Sequence, residues 1–284
     1  MKKILVIGSK GMLGHVVLTY FKEQNCFEVK NIARDDSFFV PDFSIDLCEL
    51  EKLDNVIYEF RPDYIVNCVG ILNDYAENNP EKAIFINSYL PHYIASKFKN
   101  ISKLIHISTD CVFSGKNGEY QINDFKDGQD IYATTKSLGE VVYGNNLTIR
   151  TSIIGPELKS NGIGLLHWAL FNSDNKIKGF KLAYWSGLTT LQLAKSLHKI
   201  LQSKDDFSGL IHLTNNKKIN KYDLLGLIKN IFKLSFQIEP CFKYKVDKSL
   251  INENNSKTLK IPNYNLMLKD LKIWMNNHNH LYNF

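Results

Sequence analysis

The sequence predicts an α/β fold: a doubly wound parallel sheet of Rossmann type with a smaller, interleaved C-terminal substrate lobe. Two observations carry this reading. Short Ile- and Val-rich runs alternate with longer segments of helical period through the first two thirds of the chain, and the first of these runs leads directly into a glycine-spaced turn. Strands separated by helices imply right-handed βαβ crossovers, and so a parallel sheet covered on both faces.

The strand candidates are 4–7, 29–33, 64–69, 103–108 and 147–150, and the helical stretches between them are 12–24, 50–60, 80–99 and 132–144. After Arg150 the alternation weakens, and 155–156, 160–162 and 172–175 read as loops. Leu188, Leu191, Ala194, Leu197 and Leu201 then mark one helical face, followed by a strand candidate at 210–213. The expected division is a dinucleotide-binding domain over 1–150 with 183–214 returning to it, and a substrate lobe made of 151–182 and 215–284. Two amphipathic helices, 221–232 and 264–276, are expected in the last part.

Composition excludes several classes. With 284 residues, 44% hydrophobic and 23% charged, the chain is neither disordered nor membrane-spanning, and its apolar runs are too short for a signal-peptide core or a transmembrane helix. The net charge of +6 is spread along the sequence, so no nucleic-acid surface is expected. Five cysteines (Cys26, Cys48, Cys68, Cys111 and Cys241) form no C-x-x-C pair, which argues against a zinc site or a disulfide framework. The expectation is a cytoplasmic protein with no metal.

The first turn, Gly8-Ser-Lys10-Gly11-Met12-Leu13-Gly14, sits between a strand and a helix, where backbone N–H groups can approach a pyrophosphate. Its G-x-x-G-x-x-G spacing points to a short-chain dehydrogenase type. No acid ends the second strand. Arg34 stands there with Lys10 in the loop, and two cations suit the 2′-phosphate of NADP(H), with NAD(H) as the alternative. Asp46 and Leu47 are candidates for the adenine side, Asp46 being equally readable as a helix N-cap. Cys68 and Gly70 close the strand 64–69 beside the cofactor.

Y-x-x-x-K places an ammonium near a phenol on one helix face, and it occurs at Tyr93/Lys97, Tyr132/Lys136 and Tyr244/Lys248. Position selects among them. Only Tyr132 follows a strand ending in hydroxyl residues, Ser108-Thr109-Asp110, at the carboxyl edge where doubly wound sheets bind ligands.

Gly8/Gly11/Gly14, Ser108-Thr-Asp-Cys-Val-Phe-Ser-Gly115, Tyr132-x-x-x-Lys136 with Gly139-Glu140, Arg150-Thr-Ser-Ile-Ile-Gly-Pro156 and, more weakly, Ala76-Glu-Asn-Asn-Pro80 running to Asn87 together resemble the extended short-chain dehydrogenase/reductase family. The nearest resemblance within it is to dTDP-4-dehydrorhamnose reductase-like sugar-nucleotide reductases. It implies that Thr109 hydrogen-bonds a substrate carbonyl, that Tyr132 exchanges the proton, and that Lys136 holds the nicotinamide ribose while lowering the Tyr132 pKa. The implied activity is NADPH-dependent reduction of a nucleotide-diphospho-4-keto-6-deoxysugar for surface-polysaccharide supply.

Dehydratase relatives carry Glu where Cys111 stands. A Cys at this offset, with a His from the other lobe such as His167, raises the alternative of an epimerase-reductase, although a small packed Cys and an ordinary His explain both residues. Asn161, His167 and Trp185 are candidates for the walls of the sugar-nucleotide site, or simply join the lobes. A second alternative is a non-catalytic NADP(H)-binding subunit, because a reductase-like protein of this family serves methionine adenosyltransferase in that way. A homodimer through helices 80–99 and 131–145 is also expected.

Overall fold

The computed structural model describes residues 1–172, 174–252 and 259–282. Its central element is a seven-stranded parallel sheet. In chain order the first half runs β1 (Lys2–Ile7), α1 (Gly14–Glu23), β2 (Phe27–Ala33), β3 (Phe43–Ser44), α2 (Leu50–Phe60), β4 (Tyr64–Asn67), α3 (Asn73–Asn78), α4 (Pro80–Ala83), a π-helical segment (Ile84–Tyr89), α5 (Leu90–Lys97) and β5 (Lys103–Thr109). Then follow α6 (Ile131–Leu138), β6 (Leu147–Thr151), β7 (Ile153–Ile154), α7 (Leu165–Phe171), β8 (Lys176–Trp185), β9 (Leu188–Thr189), α8 (Thr190–Gln202), β10 (Gly209–His212), β11 (Ile219–Asn220), α9 (Lys221–Phe232), β12 (Gln237–Asp247) and α10 (Tyr264–Asn277).

The large sheet has the order β10-β6-β5-β4-β1-β2-β3. Its strands are apolar because both faces are covered. In β1, Ile4 and Val6 join a core cluster shared with α1, α8 and α10, whereas Leu5 and Ile7 join a second cluster with α2 and α5. The strand order reverses between the parallel neighbours β1 and β4, which opens the crevice at their carboxyl ends, where the glycine turn and residues 68–70 meet.

A second sheet, β11-β8-β12, was not anticipated. Only β8 has partners on both sides, and β12 is largely exposed, so its sequence carries charges where a buried strand would carry Val or Ile. Residues 183–185 finish β8 in this sheet, so the return to the large sheet begins after Trp185 and not at 183. The expected loop 172–175 includes Ser173, and the expected lobe 215–284 includes 253–258 and 283–284; these residues lie outside the described ones.

Two helices depart from expectation. The stretch 80–99 is interrupted by the π-helical segment, and α6 stops at Leu138 instead of running to 144. Glu140 turns inward at that point. It accepts from Arg150 Nε (2.6 Å) and Nη2 (2.8 Å), Ser108 Oγ (2.8 Å) and Lys126 Nζ (3.1 Å), tying α6 to β5 and β6. Burial works to raise the Glu140 pKa, but Arg150 and Lys126 hold it below the usual carboxylate value.

The lobes are joined by a backbone seam. Tyr120 N donates to Ser249 O (2.8 Å), Ile251 N to Tyr120 O (2.9 Å) and Asp247 N to Gly115 O (2.8 Å), over a small core of Val112, Phe113, Tyr120 and Leu250. Phe113 and Tyr120 stack with centroids 4.2 Å apart.

Candidate active site

Three segments meet at the carboxyl edge of the large sheet: the turn after β1, the end of β5 and the first turns of α6. In the turn, Gly11 N donates to Gly8 O (3.0 Å), and a side chain at position 14 is impossible because a Cβ there would lie 2.1 Å from Gly8 O. No side chain caps α1, although His15 N already donates to Gly11 O (3.2 Å), and the turn Gly8 to Gly14 before the helix fits the pyrophosphate of a dinucleotide. Met12 reaches across to the other lobe, where a Cβ at Gly164 would sit 2.5 Å from the Met12 methyl.

The two candidate cations for a 2′-phosphate differ in their surroundings. Lys10 pairs with Asp35 Oδ1 at 3.2 Å and lies 5.1 Å from the Phe39 ring centre, whereas Arg34 is exposed. An acid therefore does stand close to the end of β2, one residue beyond Arg34, and it is engaged by the glycine-turn lysine. Asp46 is not a helix cap: it accepts from Cys48 N (3.0 Å) in the turn before α2, whose cap position is Glu49. Leu47 is buried in the core. Cys68 follows β4, where its amide bonds Ile7 O (3.0 Å), and burial pushes its thiol up to about 12.

Gly70 is not crowded, its nearest neighbour being Asn87 Oδ1. That asparagine matters more than its place at the end of a weak motif suggested. Asn87 is fully buried in the π-helical segment, accepts from Ile71 N (2.8 Å), and donates to Ile71 O (2.9 Å) and Thr135 Oγ1 (3.0 Å). It locks the loop after β4 to α6. Gly139 completes the contact, since a Cβ there would fall 1.8 Å from Asn87 O. π-Helical turns often mark functional sites, but no sequence pattern announces one.

Thr109 ends β5, buried, with its Oγ1 accepting from Cys111 N (3.1 Å) and donating to Asp110 Oδ1 (3.2 Å). Tyr132, in the first turn of α6, lies near Thr109, whose hydroxyl acts to lower its pKa. Asp130 caps that helix by accepting from Ala133 N (2.7 Å). The expected pair of hydroxyls is thus assembled at the sheet edge.

Lys136 lies behind them, buried, its Nζ donating to Ile107 O (2.7 Å) and His106 Nε2 (3.2 Å). Burial lowers it to about 8. His106 stays neutral, driven well below its ordinary pKa first by burial and then by the Lys136 charge. The Tyr132 phenol is raised, not lowered: burial dominates, and the nearby Cys111 adds to it. In this arrangement Lys136 orients through the backbone and His106, and the phenol is held in its protonated, proton-donating form.

The remaining candidates divide. Cys111 stands at the site, but burial and Asp110 push its thiol up to about 11, so it is a poor base. His167 is not its partner: it packs on Phe171 with centroids 4.5 Å apart, and its Nε2 bonds Ser160 O (3.1 Å). Trp185 cannot stack on a base, being buried in the core against Tyr264. Asn161 is exposed in the loop before α7. Two lysines with no expected site role act on this region electrostatically: Lys248 on Cys111 and Asp110, and Lys221 on the same two residues. No helix among the described residues is long and apolar enough to cross a membrane.

Comparison with known proteins agrees with this geometry. The chain is 26% identical over 249 residues to methionine adenosyltransferase 2 subunit beta of Bos taurus, covering 82% of this chain and 73% of that one. Among solved structures, dTDP-4-dehydrorhamnose reductase from Bacillus anthracis in complex with NADP superposes with a TM-score of 0.82 at 19% identity, covering 96% of this chain and 99% of that one. A hypothetical dTDP-4-dehydrorhamnose reductase from Sulfolobus tokodaii gives a TM-score of 0.74 at 26% identity, covering 92% and 95%. The model for the RmlD substrate binding domain matches residues 1–271. With the glycine turn, the hydroxyl strand and the Tyr–Lys helix assembled on one sheet edge, the chain belongs to the RmlD substrate binding domain family, within the extended short-chain dehydrogenase/reductase-like sugar-nucleotide reductases.

Proposed function

We propose that the protein is an NADPH-dependent reductase of a nucleotide-diphospho-4-keto-6-deoxysugar that serves surface-polysaccharide synthesis. The observation that carries this reading is the juxtaposition of Thr109, at the end of β5, with Tyr132, in the first turn of α6, at the carboxyl edge of the sheet that also carries the glycine turn. Gly8 to Gly14 would hold the pyrophosphate, Arg34 and Lys10 the 2′-phosphate, and Lys136 the nicotinamide ribose. When bound, the reduced nicotinamide supplies hydride to the sugar ketone carbon. Thr109 holds the ketone oxygen, and Tyr132 gives it the phenolic proton as negative charge develops there. The raised phenol pKa suits the donor, because the proton stays on Tyr132 until the oxygen becomes more basic than the phenolate.

Simple reduction is preferred to epimerisation with reduction. A second group able to exchange a carbon-bound proton is required for the latter, and Cys111 with His167 does not form such a pair. Incubating the enzyme, NADPH and a panel of dTDP-, UDP- and GDP-4-keto sugars in deuterated water tests both points. NADPH is expected to be oxidised by at least one member, with no deuterium at the carbons flanking C4; deuterium there, lost in Cys111→Ala, installs the epimerase reading.

The likeness to a methionine adenosyltransferase subunit favours a second reading, a cofactor-binding subunit of a larger enzyme. Tight NADPH binding without turnover of any keto sugar, together with a stable partner in pull-downs, would replace the first reading by this one. The homodimer remains a proposal of the same kind. Ile84, Tyr89 and Leu138 are exposed on the helices concerned, and sedimentation of a monomer at micromolar concentration would refute it.

A further inference from the structure

On the face of the large sheet that packs against α2 and α5, β4 and β5 contribute Ile65 and Leu104 to the apolar core. Two positions further along, the same face carries Asn67 and His106, which are register partners and wholly buried. A polar pair in such a place persists only where its hydrogen bonds are made. Asn67 Oδ1 accepts from Val69 N (3.2 Å), which turns the amide nitrogen Nδ2 toward His106 Nδ1 (3.2 Å). The other ring nitrogen, Nε2, lies 3.2 Å from Lys136 Nζ, whose second partner is Ile107 O (2.7 Å). A row of three side chains thus links the loop after β4 to Lys136.

The direction of each bond follows from what these groups can give. An amide nitrogen only donates, so Asn67 Nδ2 requires a bare Nδ1 on His106, and the proton of the neutral ring is then on Nε2. That N–H points at Lys136 Nζ, and only an uncharged amine has the lone pair to accept it. With Lys136 as an amine, every donor in the row has its acceptor. With Lys136 as an ammonium, Nε2 must accept, Nδ1 carries the proton, and two donors confront each other at Asn67. Turning the amide over relieves that clash but takes the acceptor from Val69 N, so one donor is orphaned in either case.

Nearby charge does little to hold the ammonium. The groups acting on Lys136 are Glu140, beyond α6, and Cys68, after β4, while His106 feels Lys136 and His92 of α5. Glu140 is already engaged by Arg150 and Lys126, and Asp110 and Cys111, just beyond β5, act on Tyr132 one turn earlier in α6. Lys97, which has the same spacing from Tyr93, shows the contrast: Asp54 pairs with it and holds its proton more firmly than usual.

We propose that Asn67 and His106 are positioning residues for Lys136: their row is complete only when Lys136 is an uncharged amine, so it loosens the ammonium proton and ties its loss to a change of the His106 tautomer. The inference rests on the reading of Lys136 as part of the reductase site and adds what governs its charge there.

The test is the ring-nitrogen NMR spectrum of the whole protein, ¹⁵N-labelled at histidine and free of substrate and cofactor, with the His106 signals identified by their loss in His106→Gln. Between about pH 6 and about pH 9.5, His106 should stay neutral and pass from the Nδ1–H to the Nε2–H tautomer, with a midpoint at about 8, where burial holds Lys136. Asn67→Asp puts an acceptor where the donor was. It should keep the Nδ1–H form throughout and raise the pH at which kcat falls on the alkaline side by about one unit or more, the scale of one charge-assisted hydrogen bond. A single tautomer across this range in the wild type, or an imidazolium, would overturn the inference, and so would a switch retained in folded Asn67→Asp. The wild-type spectrum decides by itself if that variant does not fold. A switch without reduction of any keto sugar would sustain the coupling and remove the reductase reading. Reduction of a keto sugar without a switch would do the reverse.

Discussion

The two larger sheets of this molecule are held together by different means. The seven-stranded sheet buries both faces, so each of its strands is fixed by side chains above and below, and its carboxyl edge is rigid enough to aim Thr109 at Tyr132. The three-stranded sheet has an exposed strand, β12, with a register shift between Cys241 and Lys245, and it is attached through the seam at 247–251. One sheet makes the core, and the other presents residues to it. Substitutions in the first should therefore be costly in proportion to packing, and substitutions in the second only where a side chain reaches the site.

The largest effect expected is chemical. Tyr132→Phe keeps the packing of α6 and removes the proton donor, so turnover should fall about 10²–10⁴-fold with cofactor affinity nearly unchanged. Near-normal turnover on the substrate identified in the panel would end the assignment. Next comes Gly139→Ala, where the new methyl collides with the Asn87 carbonyl; a loss of about 3 kcal/mol in chemical denaturation is expected, at the upper end of overpacking penalties. Denaturation at the wild-type midpoint would show that the junction between α6 and the π-helical segment gives way easily.

A third test acts on the large sheet through pH. His15 and His212 are buried and held near pKa 4, His15 by burial and His212 by burial and then Arg150. The unfolded chain takes up these protons near 6.5 and the folded one only near 4, so stability is complete above about pH 6.5 and declines as the pH falls toward 4. A midpoint of urea denaturation that does not move between pH 7 and pH 5 would contradict this.

Smaller still is the effect of Arg34→Asp, which should weaken NADPH about tenfold more than NADH by calorimetry; equal losses would make Arg34 a solvated end of β2. Least of all, Tyr244→Ser on the exposed strand should stay within about 0.5 kcal/mol of wild-type stability, and a larger loss would mean that β12 is more than an exposed edge of its sheet.

The same contrast explains what could be read in advance. Strands buried on two faces write continuous apolar runs, and β1, β2, β4, β5, β6 and β10 were legible for that reason. Gly8 to Gly14 were legible from their spacing directly after the first strand, and Thr109, Tyr132 and Lys136 from their position at and after a strand that ends in hydroxyl residues. β8 and β12 were not, since Lys176, Lys178, Lys243 and Lys245 interrupt any apolar pattern and the pairing partner lies some 60 residues away. The expected lowering of the Tyr132 pKa failed because sequence spacing says that a lysine is near but not where its ammonium points.

The first helix is finished by the far end of the chain. Tyr282 Oη bonds His15 Nε2 at 2.9 Å, His278 Nε2 reaches Glu23 Oε1 at 2.5 Å, and α10 packs on α8 beside α1. The helix whose amino end faces the crevice thus leaves the ribosome well before the segment that covers it. During synthesis the glycine turn emerges while its supporting helix is bare on the side that residues 264–282 will occupy, and contacts of such long sequence separation form slowly. Nascent chains arrested before Tyr264 should therefore expose α1 to chaperones and proteases, so cofactor capture would follow, not guide, completion of the fold.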